Sequence, residues 1–282
     1  MAARISTTDN NDDNVIFTAG ESEVQRLDTQ HKVVAASMTP SILAPIDFSK
    51  PGLRILDQAT GSGIFLRDLR ASTPNPTSHT WIGTDIETSY FPTSPPPDTS
   101  YHFQSMTAPW PQSWNSSFDL VHSRFALPGV GTTSLHSAVN NLIALVKPGG
   151  WIQFVEMDLE NWAGGPATQE FCAATRTLLS FVSAGQGVGL RSKLVPMMKE
   201  AGLVDIQDRG FAILTGKRAR EDVRALSEDS MKATAQGICG TLAAMLPGEG
   251  DWKGVAERLV RENGEVGSEF RVFAVWGRRV GT

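Results

Sequence analysis

Apolar positions along this 282-residue chain change their spacing several times, and each change marks an element. Val24, Leu27, Val33 and Val34 recur at near-helical spacing and predict an amphipathic helix over 21–38, with Ser22 as its N-cap and Pro40 ending or bending it. Leu53 to Leu56 is a short apolar run closed by Asp57 and a glycine-rich turn, after which Ile64 to Leu69 is helical. That is strand, loop, helix. A second strand, 80–83, ends at Asp85, and the proline-rich stretch 91–97 fits only a surface connection. Further strands are predicted at 100–104, 118–122 and 151–157, with a helix at 134–145 that Lys147-Pro148-Gly149-Gly150 breaks before the next strand. Beyond Asp158 the pattern gives helices at 168–182, 191–201 and 220–246, and strands at 204–209 and 270–276.

Alternating strands and helices with short turns predict an open α/β sheet whose crossovers cover both faces. No internal repeat is present. Residues 1–20, polar through most of their length, are expected to be a flexible arm, and 21–282 one domain. Composition narrows the partners: 40% hydrophobic and 20% charged residues describe an ordinary globular protein, and a net charge of −5 gives no electrostatic reason to bind nucleic acid or an anionic membrane. No apolar run approaches the ~18 residues of a membrane span, so the expected compartment is the cytoplasm. Cys172 and Cys239 stand far apart with no CxxC partner, which indicates neither a disulfide framework nor a metal site.

The informative stretch is Ile55-Leu56-Asp57-Gln58-Ala59-Thr60-Gly61-Ser62-Gly63. A loop leaving a parallel strand brings its backbone close to a ligand only where side chains are missing, which Gly61 and Gly63 allow. The spacing departs from the GxGxxG of dinucleotide sites, and Asp57 stands where a phosphate would be repelled. An acid there suits a cofactor carrying a cationic amino group. Asp85 follows 22 residues beyond Gly63, near the ~20-residue offset at which an acid accepts ribose hydroxyls. A nucleoside joined to an amino acid satisfies both carboxylates; the plainer alternative is a tight turn with Asp57 capping a helix.

From Leu53 to about Met157 the chain resembles the class I S-adenosylmethionine-dependent methyltransferases, through four motifs in order. These are the glycine loop just quoted, Ile82-Gly83-Thr84-Asp85-Ile86, Phe118-Asp119-Leu120-Val121-His122-Ser123-Arg124, and Leu145-Val146-Lys147-Pro148-Gly149-Gly150-Trp151. The resemblance implies a Rossmann-like fold, a mostly parallel seven-stranded sheet with helices on both faces. The core motifs would occupy 53–158, and a helical substrate cover would come from 21–50 and 159–265. It also implies S-adenosylmethionine as cofactor, with Asp57, Ala59, Gly61 and Gly63 around its methionine end and Asp85 on the ribose. Ile86 would face adenine, Ser105, Met106 and Thr107 the adenine edge, and Ser123 and Arg124 the methionine moiety. Ala59 stands where the family usually has its first glycine, and Gln104-Ser105-Met106 lacks the acid that often meets adenine.

Glu23 to His31 and Val121 to Gly129 are further similar to fungal natural-product methyltransferases, including the gliotoxin-type N-methyltransferases and, more distantly, the LaeA-like proteins. That likeness implies a small-molecule acceptor methylated on nitrogen, with oxygen and then sulfur as the next choices, and a place in secondary-metabolite or mycotoxin biosynthesis. Displacement at a sulfonium methyl needs alignment more than acid or base, although a hydroxyl or amide acceptor gains from a general base. His31 is the candidate base or orienting group, against a plain surface or capping histidine. His122 is expected to be a hydrogen-bonded histidine between sheet and helix. Glu156 and Asp158, after the fifth strand, are candidates to orient the substrate, and Trp162 and Phe171 candidates for an apolar acceptor pocket. Trp110, Trp114 and Phe181 belong to the same aromatic set. Two other functions stay open: a cyclase or dehydratase of methyltransferase type that binds the cofactor without consuming it, and a LaeA-like regulator acting through protein partners.

Overall fold

The computed structural model describes Phe17 and residues 19–281, so most of the expected N-terminal arm lies outside the described residues. Helix α1 (Glu21–Ser37) starts one residue before the predicted cap. The amides of Glu23 and Val24 bond to the Gly20 carbonyl at 3.1 and 3.2 Å, which makes Gly20 the N-cap and puts Ser22 inside the first turn. Then come β1 (Arg54–Gln58), α2 (Ile64–Ser72), β2 (Thr80–Asp85), β3 (Thr99–Phe103), β4 (Phe118–Arg124), α3 (Leu135–Leu145) and β5 (Val146–Met157). The second half adds α4 (Pro166–Val182), α5 (Leu190–Glu200), β6 (Leu203–Thr215), α6 (Glu221–Met245), α7 (Trp252–Glu265) and β7 (Ser268–Arg279).

All seven strands join one sheet in the order β3-β2-β1-β4-β5-β7-β6. The pairs from β3 through β5 are parallel, while β7 runs antiparallel to both β5 and β6. This is the Rossmann-like class I methyltransferase architecture. Alternation along each strand divides the core into two layers. Ile55, Trp81, Leu120 and Val272 face one cluster with α1, α2, α4, α6 and α7, whereas Leu56, Ile82, Val121 and Phe273 face another with α3 and α5.

Three departures from the predicted elements have physical causes. Lys147 to Gly150 lie inside β5, because helix α3 ends at Leu145 and the strand begins at once. The four residues make a bulge where the β4–β5 register shifts between Phe118 and Leu120. Strand β6 extends well beyond the predicted 204–209, its first eight residues mostly exposed at the sheet edge and therefore without an alternating pattern. Helix α7 was not predicted at all: it buries only Val255, Ala256, Leu259 and Asn263, and two glycines dilute its period. Among the described residues no helix is long and apolar enough to cross a membrane.

Candidate active site

Strand order reverses between β1 and β4, which in an open α/β sheet leaves a crevice beyond the strand ends. A cavity of about 230 Å³ lies there. Its floor is the loop after β1, where Ala59 (φ 55°) and Gly61 (φ 54°) both adopt left-handed backbone. The curl brings Ala59, Thr60, Gly61 and Ser62 to the cavity wall. A Cβ on Gly61 would stand 3.0 Å from Leu27 Cδ1, so α1 already closes over the loop. Gly63 is off the cavity wall. Its missing side chain makes room for the Tyr101 ring, which corrects the expected cofactor contact to a packing role.

Asp85 sits on the wall at the end of β2, accepting from the Gly61 amide at 2.8 Å and the Glu87 amide at 3.0 Å. Burial pushes its carboxyl above the usual range, opposed by these amides. Ile86, Tyr90, Gln104 and Met106 line the same end. Ser105 and Thr107, expected beside them, lie off the wall, their hydroxyls 2.8 Å apart.

Asp57 reaches the wall from β1 with both oxygens engaged: Oδ1 lies 2.7 Å from His122 Nδ1, and Oδ2 accepts from Thr60 Oγ1 at 2.6 Å. Each oxygen keeps a further lone pair for a ligand. His122 is buried flat against Phe65, ring centroids 3.9 Å apart, and burial lowers its pKa despite Asp57. Ser123 is off the wall and donates to Gln58 Oε1 at 2.7 Å, so Gln58 takes the place expected for it.

His31 is also off the wall, buried between Asp68 and Arg124. Its Nε2 lies 2.8 Å from Asp68 Oδ2, and its Nδ1 3.0 Å from Arg124 Nη2. A guanidinium only donates, so Nδ1 accepts from Arg124 and Nε2–H donates to Asp68. Burial and the Arg124 charge both hold its pKa below the ordinary value, against Asp68. The expected base is thereby corrected to a group that positions Arg124, which does line the cavity.

The four expected substrate residues do not line the cavity. Trp162 and Phe171 pack in the core, Trp162 edge-on to Phe270 at 4.5 Å and stacked on Phe171 at 6.2 Å. Asp158 is buried in an ion pair with Arg191 at 3.0 Å. Glu156 lies beneath the loop after β4, its Oε1 accepting from the amides of Ala126 and Leu127 at 3.0 and 2.9 Å. Burial raises its pKa to about 8 against those amides. Trp110 and Trp114 are also off the wall, and Phe181 is exposed.

The sequence did not single out Phe125, Met157, Leu178, Leu179, Thr234 and Ile238, which surround the cavity where β4 and β5 end. Phe125 carries a signal only in conformation: like Ala59 it is a non-glycine residue with φ 55° on the wall.

No protein-family profile matches the chain. It is 34% identical to N-methyltransferase sirN of Leptosphaeria maculans over 98% of both chains. It is 33% identical to N-methyltransferase gliN of Aspergillus fumigatus, over 92% of this chain and 94% of the relative. With N-methyltransferase tcpN of Claviceps purpurea the identity is 32%, over 92% and 95%. The chain belongs to this family of fungal methyltransferases. Solved structures similar to it include Haemonchus contortus phosphoethanolamine N-methyltransferase 2 with S-adenosyl-L-methionine, at TM-score 0.49 and 14% identity, over 91% of this chain and 52% of that one. Another is the YcgJ protein of Bacillus subtilis, at TM-score 0.47 and 13% identity, over 91% and 99%. The cavity suits the cofactor of a class I methyltransferase, S-adenosylmethionine. Asp85 lies at one end of the wall, the left-handed loop follows β1, and Asp57 and Arg124 place opposite charges on the same wall.

Proposed function

We propose that this enzyme transfers the methyl group of S-adenosylmethionine to a nitrogen of a small, largely apolar fungal secondary metabolite. The observation that carries the reading is the cavity at the switch point, with acid, left-handed loop and cation in sequence along it. The N-methyltransferase relatives supply the choice of nitrogen.

When bound, the cofactor supplies an electrophilic methyl on a sulfonium. Asp85, oriented by the Gly61 and Glu87 amides, accepts from ribose hydroxyls. Asp57, fixed by His122 and Thr60, takes the amino group, and Arg124 takes the carboxylate. Helix α1 excludes water from above the loop through Leu27. The apolar walls at Phe125, Met157 and Leu178 hold the acceptor in line, and this alignment supplies most of the acceleration. His31 Nδ1 accepts from Arg124, which leaves it no role as a proton acceptor for the substrate.

Calorimetric titration with S-adenosylmethionine and S-adenosylhomocysteine, beside NAD, tests the cofactor. Saturable binding of the first two and none of NAD is expected. Incubation with a panel of small nitrogen compounds, followed by S-adenosylhomocysteine detection and product mass spectra, tests the transfer. Turnover confined to hydroxyl or thiol acceptors would overturn the nitrogen assignment.

A further inference from the structure

Strand order gives the cavity a direction. Asp85 on β2 and Met157 on β5 are separated by β1 and β4, which at ~4.8 Å per strand puts them roughly 14 Å apart across the sheet. Helix α1 runs the same way. Glu23 and Arg26 act electrostatically on Tyr90 near Asp85, Leu27 covers Gly61, and His31 touches Arg124 at the end of β4. Gln30, one turn beyond Leu27 on the same helix face and that much farther along α1 from Glu23, lines the cavity as well.

That end is almost wholly apolar, walled by Phe125, Pro128, Met157, Leu178, Leu179 and Ile238. Two uncharged polar side chains open onto it, Gln30 from α1 and Thr234 from α6, and neither side chain has a hydrogen-bond partner among the described residues. Among the described residues of the wall, Glu23 pairs with Arg26 at 2.7 Å, Glu87 accepts from the Ser89 amide at 3.0 Å, and Asp57 and Asp85 are the carboxylates that the proposed cofactor takes. Among the described residues the charged side chain of the wall at this end is Arg124, a cation.

We propose that Gln30 and Thr234 determine acceptor specificity, hydrogen-bonding an uncharged polar group of the substrate beside its apolar body. The inference rests on the methyltransferase reading and names what that reading leaves open. An apolar chamber with two unpaired polar groups discriminates strongly, because a ligand lacking the matching group leaves both unsatisfied. A carboxamide both donates and accepts and a hydroxyl does either, so the pair suits a substrate group with the same dual character. An ammonium meets Arg124 there, with Asp57 and Asp85 already given to the cofactor.

Three probes of similar shape separate these demands: benzamide, ethylbenzene and benzylamine, their binding followed by ligand-observed NMR on the full chain in saturating S-adenosylhomocysteine. Benzamide is expected to bind at least fivefold more tightly than either of the others. Gln30→Met and Thr234→Val, which keep side-chain volume, are expected to bring benzamide down to the level of ethylbenzene, with S-adenosylhomocysteine affinity held within twofold. Gln30→Glu is expected to admit benzylamine at least fivefold better. Equal benzamide binding in the variants and the unaltered chain, or no preference for benzamide, would overturn the proposal. Failure of the unaltered chain to bind S-adenosylhomocysteine would instead overturn the cofactor reading on which it stands.

Discussion

At the scale of single residues, the site contains backbone that costs energy to hold. Ala59 occupies the left-handed region at φ 55°, where an L side chain is disfavoured by about 1 kcal/mol. Ala59→Gly is expected to leave S-adenosylhomocysteine affinity within twofold and to change unfolding free energy by no more than about 1 kcal/mol, in the stabilising direction. Ala59→Val, β-branched at the same φ, is expected to lose ~2 kcal/mol or more, and urea denaturation of the three proteins checks both. His31 makes a sharper distinction between roles. Removing a general base costs ~10²- to 10⁴-fold in rate, whereas a positioning group can be replaced by any acceptor that reaches Arg124. His31→Gln is expected to slow saturated turnover by less than about tenfold, while His31→Leu leaves a buried guanidinium N–H unpaired, at about 1–3 kcal/mol, and weakens cofactor binding. A loss beyond about a hundredfold in the Gln variant with cofactor affinity intact would restore His31 as the base.

Elements meet at the site through a few buried polar contacts. Helix α1 is fixed to the glycine loop by Asp28 on Ser62 and, one helical turn on, to α2 by His31 on Asp68, so the cover and the glycine loop form one unit. The loop after β4 depends in the same way on Glu156, whose Oε1 takes two of its amides. Burial holds the Glu156 carboxyl at about 8, far above its ordinary 4.5. The folded chain therefore keeps a proton that the unfolded chain gives up as pH rises from 4.5, and stability falls through that window until the folded group also ionises near 8. Glu156→Gln preserves the acceptor and removes the titration. Urea unfolding at pH 5.5 and pH 9 is expected to show the variant gaining on the parent at the higher pH; an identical pH slope in both would show that Glu156 does not titrate in this window.

At the scale of the whole molecule, legibility in the sequence follows the range of the interaction. The β1–α2–β2 unit, and the meeting of Asp57, Gly61 and Asp85 at one cavity, are legible because strand, turn and acid lie within about thirty residues and the turn chemistry is local. Trp162 and Phe171 were misplaced because an aromatic side chain looks the same in a core as in a pocket, and Phe270, from the last strand, decides which. Gln30 and Thr234 gave no signal, since only the packing of α6 on α1 brings them to one cavity. That long-range assembly makes cofactor binding a property of the entire fold. A ligand that binds only the folded chain stabilises it by RT ln(1 + [L]/Kd), about 2.7 kcal/mol at a hundredfold excess over Kd. For a chain of this size that corresponds to a rise in Tm of roughly 4–5 °C. Hydrogen bonds to a charged acceptor contribute about 1.5–3 kcal/mol, so Asp85→Ala is expected to weaken S-adenosylhomocysteine by roughly 10- to 100-fold. At the same ligand concentration most of the thermal shift then disappears, while the ligand-free Tm stays close to that of the parent because the Gly61 and Glu87 amides border an open cavity. A variant that kept the full shift would remove Asp85 from the ribose and leave the glycine loop alone to account for binding.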